Sequence, residues 1–243
     1  MKALTIVIPA RNEELRIRKT LEEYIGYFSQ KYKGDFEIII VMDRCSDRTP
    51  KIAEEFSREN PAIRCLNFEN ELGKGGAIVE GCRLAEGNIV AFADADGSVR
   101  PEELDKVITA ATMCDGAIGS RWLPRSRLIN QSFIRKMASR GFNLITRILF
   151  GLGFIDTQCG AKAFRRDVIR HAVDNLILTD FAFDVDLLHE LVRNGCSIEE
   201  VALTWVDEKN SKLELEKIVP KMLLSLIALW ARKHYLFTRR PTR

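Results

Sequence analysis

The segment Ile89-Val90-Ala91-Phe92-Ala93-Asp94-Ala95-Asp96-Gly97-Ser98 joins an apolar run of strand length to two carboxylates separated by one residue. Alternate residues of an extended segment point the same way, so Asp94 and Asp96 are expected on one side and Ala95 on the other. Two neighbouring carboxylates repel each other and call for a cation. Hard oxygen ligands that leave other positions open suit Mg2+ or Mn2+ bridging to phosphate oxygens. The competing reading, in which both aspartates only cap the turn at Gly97, is less attractive at the end of a buried strand, where unpaired charge is costly.

Outward from this segment, apolar β-branched runs alternate with helical patterns. Leu4 to Ile8, Phe36 to Met42, Ile63 to Phe68, Ile89 to Ala93 and Gly116 to Gly119 read as strands. Glu13 to Gln30, Pro50 to Arg58, Gly75 to Ala85 and Pro101 to Met113 read as helices, the last with proline in its first turn. Strands of nearly unbroken apolar character are buried on both faces. The fold class is therefore α/β, a mostly parallel Rossmann-like sheet with helices on both faces. Ligands of such sheets bind at the carboxyl ends of the strands.

Composition sets wide bounds. The 243 residues are 46% hydrophobic and 29% charged, with a formal net charge of +3, which excludes disorder and collagen-like architecture. Six cysteines lack any C-x-x-C pair, and the three histidines do not cluster with them, against zinc and a disulfide framework. The apolar run after Met1 is too short for a signal peptide, and a cytoplasmic, reducing compartment is the expectation.

The small net charge hides a segregation. Between Asp115 and Asp156 there is no acidic residue, yet Arg121, Arg125, Arg127, Arg135, Lys136, Arg140 and Arg147 lie there. After Glu216 come Lys217, Lys221, Arg232, Lys233, Arg239, Arg240 and Arg243, again without a carboxylate side chain. In the first stretch Lys136, Arg140, Asn143 and Arg147 share one helical face, opposite Ile134, Ala138, Ile145, Ile148 and Leu149. In the second, Lys217, Lys221, Ser225, Ala228 and Arg232 oppose Leu223, Leu226, Ile227 and Trp230. Both patterns suit a helix lying on an anionic membrane surface, and both suit a helix docked on a core. The uncharged run Met222 to Ala231 falls far short of the ~20 residues that span a bilayer. Nucleic acid is not an expected partner, because no basic run interleaved with aromatics occurs. The expected organisation is one catalytic domain over residues 1–206, containing a basic amphipathic helix near 133–150, followed by a basic helix and tail over 207–243.

The remaining strand ends add candidates. Pro9-Ala10-Arg11-Asn12-Glu13 exposes Arg11 and Glu13 at the expected crevice. Asp43 follows the second strand, where it could accept hydrogen bonds from a nucleobase or ribose, while Ser46 or Asp47 caps the next helix. Leu72-Gly73-Lys74-Gly75-Gly76 precedes a helix and could offer backbone N–H groups and a lysine to a diphosphate, although it lacks P-loop spacing.

The ordered set of the IPARNEE turn from Ile8, MDRCSDRT from Met42, GKGGAI from Gly73, DADGS from Asp94, GSR from Gly119 and DTQCGAKAF from Asp156 resembles the family 2 glycosyltransferases of GT-A fold. Within them it resembles the dolichyl-phosphate glucose and mannose synthases. The resemblance implies a nucleotide-sugar donor, a divalent metal on Asp94 and Asp96, base recognition near Pro9, Arg11, Glu13 and Asp43, and a polyprenyl or dolichyl phosphate acceptor. Ser98, where a glutamine often stands in the mannose branch, leans the donor toward UDP-glucose over GDP-mannose. The pair Met42-Asp43 replaces the usual two aspartates of the second motif.

For such a transfer, Lys74 or Arg121 beside the metal would stabilise the leaving diphosphate. Asp156 is the first candidate to orient the acceptor or the donor sugar, with Asp184 and Asp186 next; one helix cannot aim both of the latter pair the same way. Arg121, Arg125, Arg127, Arg135, Gln158 and Lys162 are candidates for the acceptor phosphate. The expected location is the cytoplasm, peripherally at a membrane. Transfer to a sugar hydroxyl, nucleotidyl transfer and a non-catalytic nucleotide-binding module are the competing readings.

Overall fold

The computed structural model describes residues 2–131, 133–206 and 215–238, without the side chains of residues 135, 215–218 and 234–238. In chain order the elements are β1 (Leu4–Ala10), α1 (Ile17–Tyr32), β2 (Phe36–Asp43), α2 (Thr49–Glu59), β3 (Ile63–Phe68), α3 (Gly73–Leu84), β4 (Ile89–Phe92), α4 (Pro101–Ala111), β5 (Gly116–Ser120), β6 (Arg127–Ile129), α5 (Phe133–Phe150), β7 (Lys162–Arg165), α6 (Arg166–Val173), α7 (Phe183–Arg193), β8 (Ile198–Ala202), β9 (Thr204–Val206) and α8 (Leu215–Thr238). The main sheet runs β3-β2-β1-β4-β7-β5-β8. All its pairs are parallel except those of β7, which lies antiparallel between β4 and β5. A second, two-stranded sheet pairs β6 with β9 in parallel.

Strand alternation divides the core between the two sheet faces. Leu4, Ile6 and Ile8 of β1 and Ile38, Ile40 and Met42 of β2 pack with Ile17, Leu21, Tyr24 and Phe28 of α1 and Leu104 and Val107 of α4. Val7, Ile39 and Val41 point the other way, against Ala77, Ile78 and Cys82 of α3 and Val185 and Leu188 of α7. Each fully buried aliphatic or phenyl side chain contributes ~1.5–3 kcal/mol, which fixes the register of β1 and β2 without help from polar groups. The order of strands reverses between β1 and β4, and their carboxyl ends open a crevice there.

Helix α5 spans the stretch expected from sequence, but it docks differently. Its buried residues are Phe142, Asn143 and Thr146, while Ile134, Ile145 and Ile148 are exposed together with Phe133, Met137 and Leu144. Asn143, grouped by spacing with the basic face, is buried because its Oδ1 accepts both the backbone N–H and the hydroxyl of Thr157, at 3.0 and 2.8 Å. The exposed surface of α5 thus mixes these apolar side chains with Arg140 and Arg147. Among the described residues no helix is long and apolar enough to cross a membrane.

Helix α8 is tied to the body by Leu226 and Leu229 and by Lys233, a member of the basic tail that turns inward. The Lys233 Nζ lies 2.7 Å from Asp186 Oδ1 and 3.3 Å from Glu190 Oε2 on α7. Asp186 Oδ2 accepts the N–H groups of Ile177 and Leu178, so one buried carboxylate fixes both a loop and a helix. Lys217 and Arg239, Arg240 and Arg243 lie outside the described side chains.

Removing one partner of a buried ion pair leaves the other charge uncompensated, at a cost of ~3–5 kcal/mol. Lys233→Ala is expected to lose about 3 kcal/mol, read from the urea midpoint at constant slope, and to speed proteolysis within α8. A second expectation concerns His189 on α7, whose imidazole burial depresses to about 4, with Lys233 and Arg193 adding to the effect. Between an unfolded value near 6.5 and 4 the unfolded chain binds the extra proton, so stability falls as pH drops through that window. His189→Gln should flatten that part of the stability profile relative to the parent chain.

Candidate active site

A cleft of about 620 Å3 opens at the carboxyl ends of β1 and β4, and its lining includes Pro9, Arg11, Glu13, Asp43, Lys74, Asp94, Asp96, Arg121, Gln158 and Asp184. Residues spread over six motifs of the sequence meet there. Arg125, Arg127, Asp156 and Lys162 do not line it. Arg135 belongs to α5, but its side chain is outside the described residues.

The acidic pair sits at its centre. After β4 ends at Phe92, the chain turns through Ala95 and Asp96 to Gly97, which holds a left-handed φ of 75°. The segment is therefore a turn rather than an extended tip, and both carboxylates still face the cleft. Lys74 donates to Asp94 Oδ1 at 2.7 Å. Burial alone would raise Asp94, but the Lys74 ammonium outweighs it and holds the group below the usual carboxylate range. The same contact, working against burial, holds Lys74 up at about 12. Asp96 moves the opposite way, pushed up by burial and by the charge of Asp94. Its Oδ1 accepts the Ser98 N–H at 2.9 Å.

Gly160 lies directly behind Asp94. A Cβ there would overlap the Asp94 carboxylate, so the glycine of the DTQCG segment is needed for close approach and not for a turn.

Arg121 forms the opposite wall. Its Nε and Nη2 reach Asp156 Oδ2 and Oδ1 at 2.8 and 2.9 Å, and its backbone N–H reaches Oδ2 at 2.9 Å. Gln158 N–H takes the remaining place on Oδ1 at 3.2 Å. These four donors match the four lone-pair sites of a carboxylate. Asp156 is wholly buried and saturated, and burial is outweighed by Arg121 in keeping it ionised. Its oxygens are taken up within the chain, where they aim Arg121, whose guanidinium also lies over the Trp205 ring, 5.2 Å from its centroid. Beside Arg121, the Nε2 of Gln158 is buried without a hydrogen-bond partner.

Lys162 points away from the cleft into the core, where its Nζ donates to Cys159 O and to Asp184 Oδ1, each at 2.6 Å. Asp184 reaches the cleft wall from α7, raised by burial against the opposing pull of Lys162 and Lys74. Asp186, two residues on, faces Lys233, as helical geometry requires.

The glycine-rich start of α3 is not an open phosphate cradle. Asp43 Oδ1 and Oδ2 accept the N–H groups of Leu72 and Gly73 at 2.7 and 3.1 Å. The N–H groups of Gly75 and Gly76 are taken by Thr179 O at 2.8 and 3.3 Å. The glycines here allow the chain to pass against Thr179 and Phe183. Asp43, expected at a base or ribose, is nearly buried and committed to this turn, with Arg11 Nη1 3.9 Å away. The N-cap of α2 is Arg48, not Ser46 or Asp47 as expected, and Asp47, one residue earlier, accepts the Thr49 N–H at 2.9 Å. Sequence reasoning passed over Arg16, Glu71, Gln131, Trp205 and Lys221, all of which line the cleft. Of these only Lys221 carried a sequence signal, as a member of the acid-free tail; Glu71, which pairs with Arg11 at 2.6 Å, carried none.

The sequence matches the family described as Glycosyl transferase family 2 over residues 5–172. It is 33% identical to the dolichyl-phosphate beta-glucosyltransferase of Drosophila melanogaster, over 94% of this chain and 74% of that one. Against the enzyme of the same name from Saccharomyces cerevisiae the identity is 32%, over 93% of this chain and 73% of that one. Among solved structures, glucosyl-3-phosphoglycerate synthase from Mycobacterium tuberculosis, in complex with Mn2+, UDP-glucose and phosphoglyceric acid, superposes with a TM-score of 0.68 at 16% identity, covering 95% of this chain and 80% of that one.

Gly160→Ala should displace Asp94 and cut turnover by about 100-fold, the scale of losing one well-placed electrostatic contact, while thermal stability changes little. Asp156→Asn, which leaves Arg121 without its counter-charge, is expected to lower both stability and activity. A steady-state assay paired with a melting curve separates the two outcomes.

Proposed function

The chain belongs to glycosyl transferase family 2, and from that premise we propose that it moves glucose from UDP-glucose to dolichyl or another polyprenyl phosphate at a membrane surface. The observation that carries this reading is the likeness, at about a third identity over most of both chains, to two enzymes named for that transfer. The cleft supports it. Pro9, Arg11 and Glu13 lie at the β1 end, where the nucleoside would bind, and Lys74, Asp94 and Asp96 lie at the β4 end, where the diphosphate would bind.

The donor set suits a divalent ion. Asp94 and Asp96 are hard oxygen donors with two opposed proton affinities, and among the described residues no group of three or more His, Cys, Asp or Glu side chains could hold a metal alone. Asp96 and Asp94 would therefore share a Mg2+ or Mn2+ ion with the donor's own phosphate oxygens. Such an ion, when bound, neutralises charge developing on the leaving diphosphate. The Mn2+ in the M. tuberculosis complex is consistent with this assignment.

The chain's own residues do the rest. Lys74 places a fixed positive charge beside Asp94, ready for the diphosphate as the glycosidic bond breaks. Arg121, locked by Asp156, and the unpartnered Gln158 amide lie on the acceptor side and would hold the lipid phosphate. A phosphate monoester has a second pKa near 6, so the acceptor is already largely an oxyanion at neutral pH and needs no general base. In-line attack on the α-linked donor inverts the anomeric carbon, giving a β-glucoside. Asp184, paired to Lys162, positions Lys162 and the wall rather than taking a proton.

The reading further places the enzyme peripherally on the cytoplasmic face, with residues 1–206 as the catalytic unit and α5 and α8 toward the bilayer. Exposed Phe133, Ile134, Met137 and Ile148 on α5 and Leu224 and Ile227 on α8 support that orientation.

Incubation with labelled UDP-glucose or GDP-mannose and polyprenyl phosphate should carry label into the organic phase from UDP-glucose alone. Label from GDP-mannose, or label only in water-soluble sugar, would overturn the donor or the acceptor. Chelation by EDTA should abolish transfer and Mg2+ or Mn2+ restore it. Asp96→Asn should lose about 100- to 1,000-fold in turnover with an unchanged melting curve, since several kcal/mol of charge stabilisation depend on the ion it holds.

A further inference from the structure

A second, smaller cavity of about 260 Å3 lies beside α5, lined by Trp122, Arg140, Asn143, Leu144, Arg147 and Ile155. It shares no lining residue with the catalytic cleft. Its charged groups, Arg140 and Arg147, are both cations, and the one side-chain acceptor in its lining, Asn143 Oδ1, is already taken by Thr157. The Arg140 guanidinium lies over the Trp122 ring, 4.8 Å from the centroid. Neither Arg140 nor Arg147 has a carboxylate partner among the described residues, in contrast to Arg121 on the other side of the same wall. No acid lines the cavity, and Glu200, which touches its lining residue Ile155, spends its oxygens on the N–H groups of Ile155 and Asp156.

Two further donors are unsatisfied. Trp122 Nε1 and Asn143 Nδ2 are buried without a hydrogen-bond partner, and Asn143 as a whole is only 4% exposed. Each such orphan costs ~1–3 kcal/mol unless something accepts its hydrogen. Two guanidinium groups without carboxylate partners line this cavity, together with the two residues that carry the orphan N–H donors, and that set is the complement of a phosphate. The rim is apolar: Leu144 is 57% exposed and Ile155 39%, with Ile148 at 73% one turn along the helix. An inorganic anion has no use for such a rim. A lipid phosphate with its acyl chains alongside does.

We propose that the Trp122–Arg140–Asn143–Arg147 cavity is a binding site for the phosphate of an anionic membrane phospholipid, separate from the site of glycosyl transfer. Binding there seats α5 on the membrane with its apolar stripe in the acyl region and fixes the orientation of the neighbouring cleft. The inference rests on the membrane reading above but goes beyond it, since general attraction of a basic helix needs no cavity.

The test titrates the full chain with vesicles of phosphatidylcholine alone, with vesicles containing phosphatidic acid, with short-chain phosphatidic acid below its micelle concentration, and with inorganic phosphate. Binding is read by sedimentation and by the side-chain N–H signals of Trp122 and Asn143 in 15N spectra. Arg140→Gln/Arg147→Gln is compared with Lys136→Gln/Arg232→Gln, which removes the same charge from α5 and α8 outside the cavity. Two surface charges lost without a specific site weaken binding by ~30-fold at most. The cavity pair should lose ~100-fold or more for anionic vesicles, because charge-assisted hydrogen bonds go with the charge. Both N–H signals should shift with short-chain phosphatidic acid in the parent chain and stay put in the cavity variant. Glucosyl transfer to a short, water-soluble polyprenyl phosphate should be the same in both variants, which shows the fold intact. Equal losses for the two variants, unmoved N–H signals, or inorganic phosphate binding as tightly as the lipid would overturn the proposal while leaving the glucosyltransferase reading standing. Failure of transfer in the parent chain would instead remove that reading.

Discussion

Asp94 keeps its charge in a mostly buried wall because Lys74 of α3 donates to it at 2.7 Å, and the rest of the cleft is arranged around that contact. Lys74 can reach Asp94 only because α3 begins at Gly73, where Asp43 and the Thr179 carbonyl hold the chain in a tight entry. Gly160 leaves room for the carboxylate from behind. Asp96, deprived of a lysine of its own, is left with a raised proton affinity and an unmet need for positive charge. A site that satisfies one acid internally and leaves its neighbour wanting is well matched to a ligand that brings a cation with it.

Most of the sheet was legible because burial on both faces writes long apolar runs. β1 to β5 and α1 to α4 fall within a few residues of their expected bounds. The short β6, β7, β8 and β9 left no such trace. β7 is only Lys162–Arg165, and its buried lysine disguises it as a surface turn. α1 begins at Ile17, four residues after the expected start, and the N–H groups of Glu13 and Glu14 ahead of it are bound by Thr49 and Asp47.

The cleft was legible by motif, and individual roles were not. Asp94, Asp96, Lys74, Arg11 and Glu13 converge as their strand-end positions implied, and Gln158, which entered only through the resemblance, joins them. Asp43, Asp156 and Lys162 turn out to be internal supports, because each finds enough partners within the chain to fill its hydrogen-bonding capacity or to bury it. Partner counting of that kind needs coordinates. The same holds for the basic segments, where spacing alone could not separate Arg121 and Lys233, which are neutralised from within, from Arg140 and Arg147, which are not.

Placing β7 between β4 and β5 has a consequence for how the molecule is made. The acidic pair emerges from the ribosome with β4, but its backing at Gly160 and the Arg121–Asp156 clasp arrive only after another sixty or so residues. Until that strand inserts, β4 and β5 each present an unpaired edge, and the nascent chain carries a half-built sheet whose exposed hydrogen-bonding groups can recruit the wrong neighbour. β7 is the strand that joins β5 to the β3-β2-β1-β4 block, through non-local pairings of the kind that form slowly.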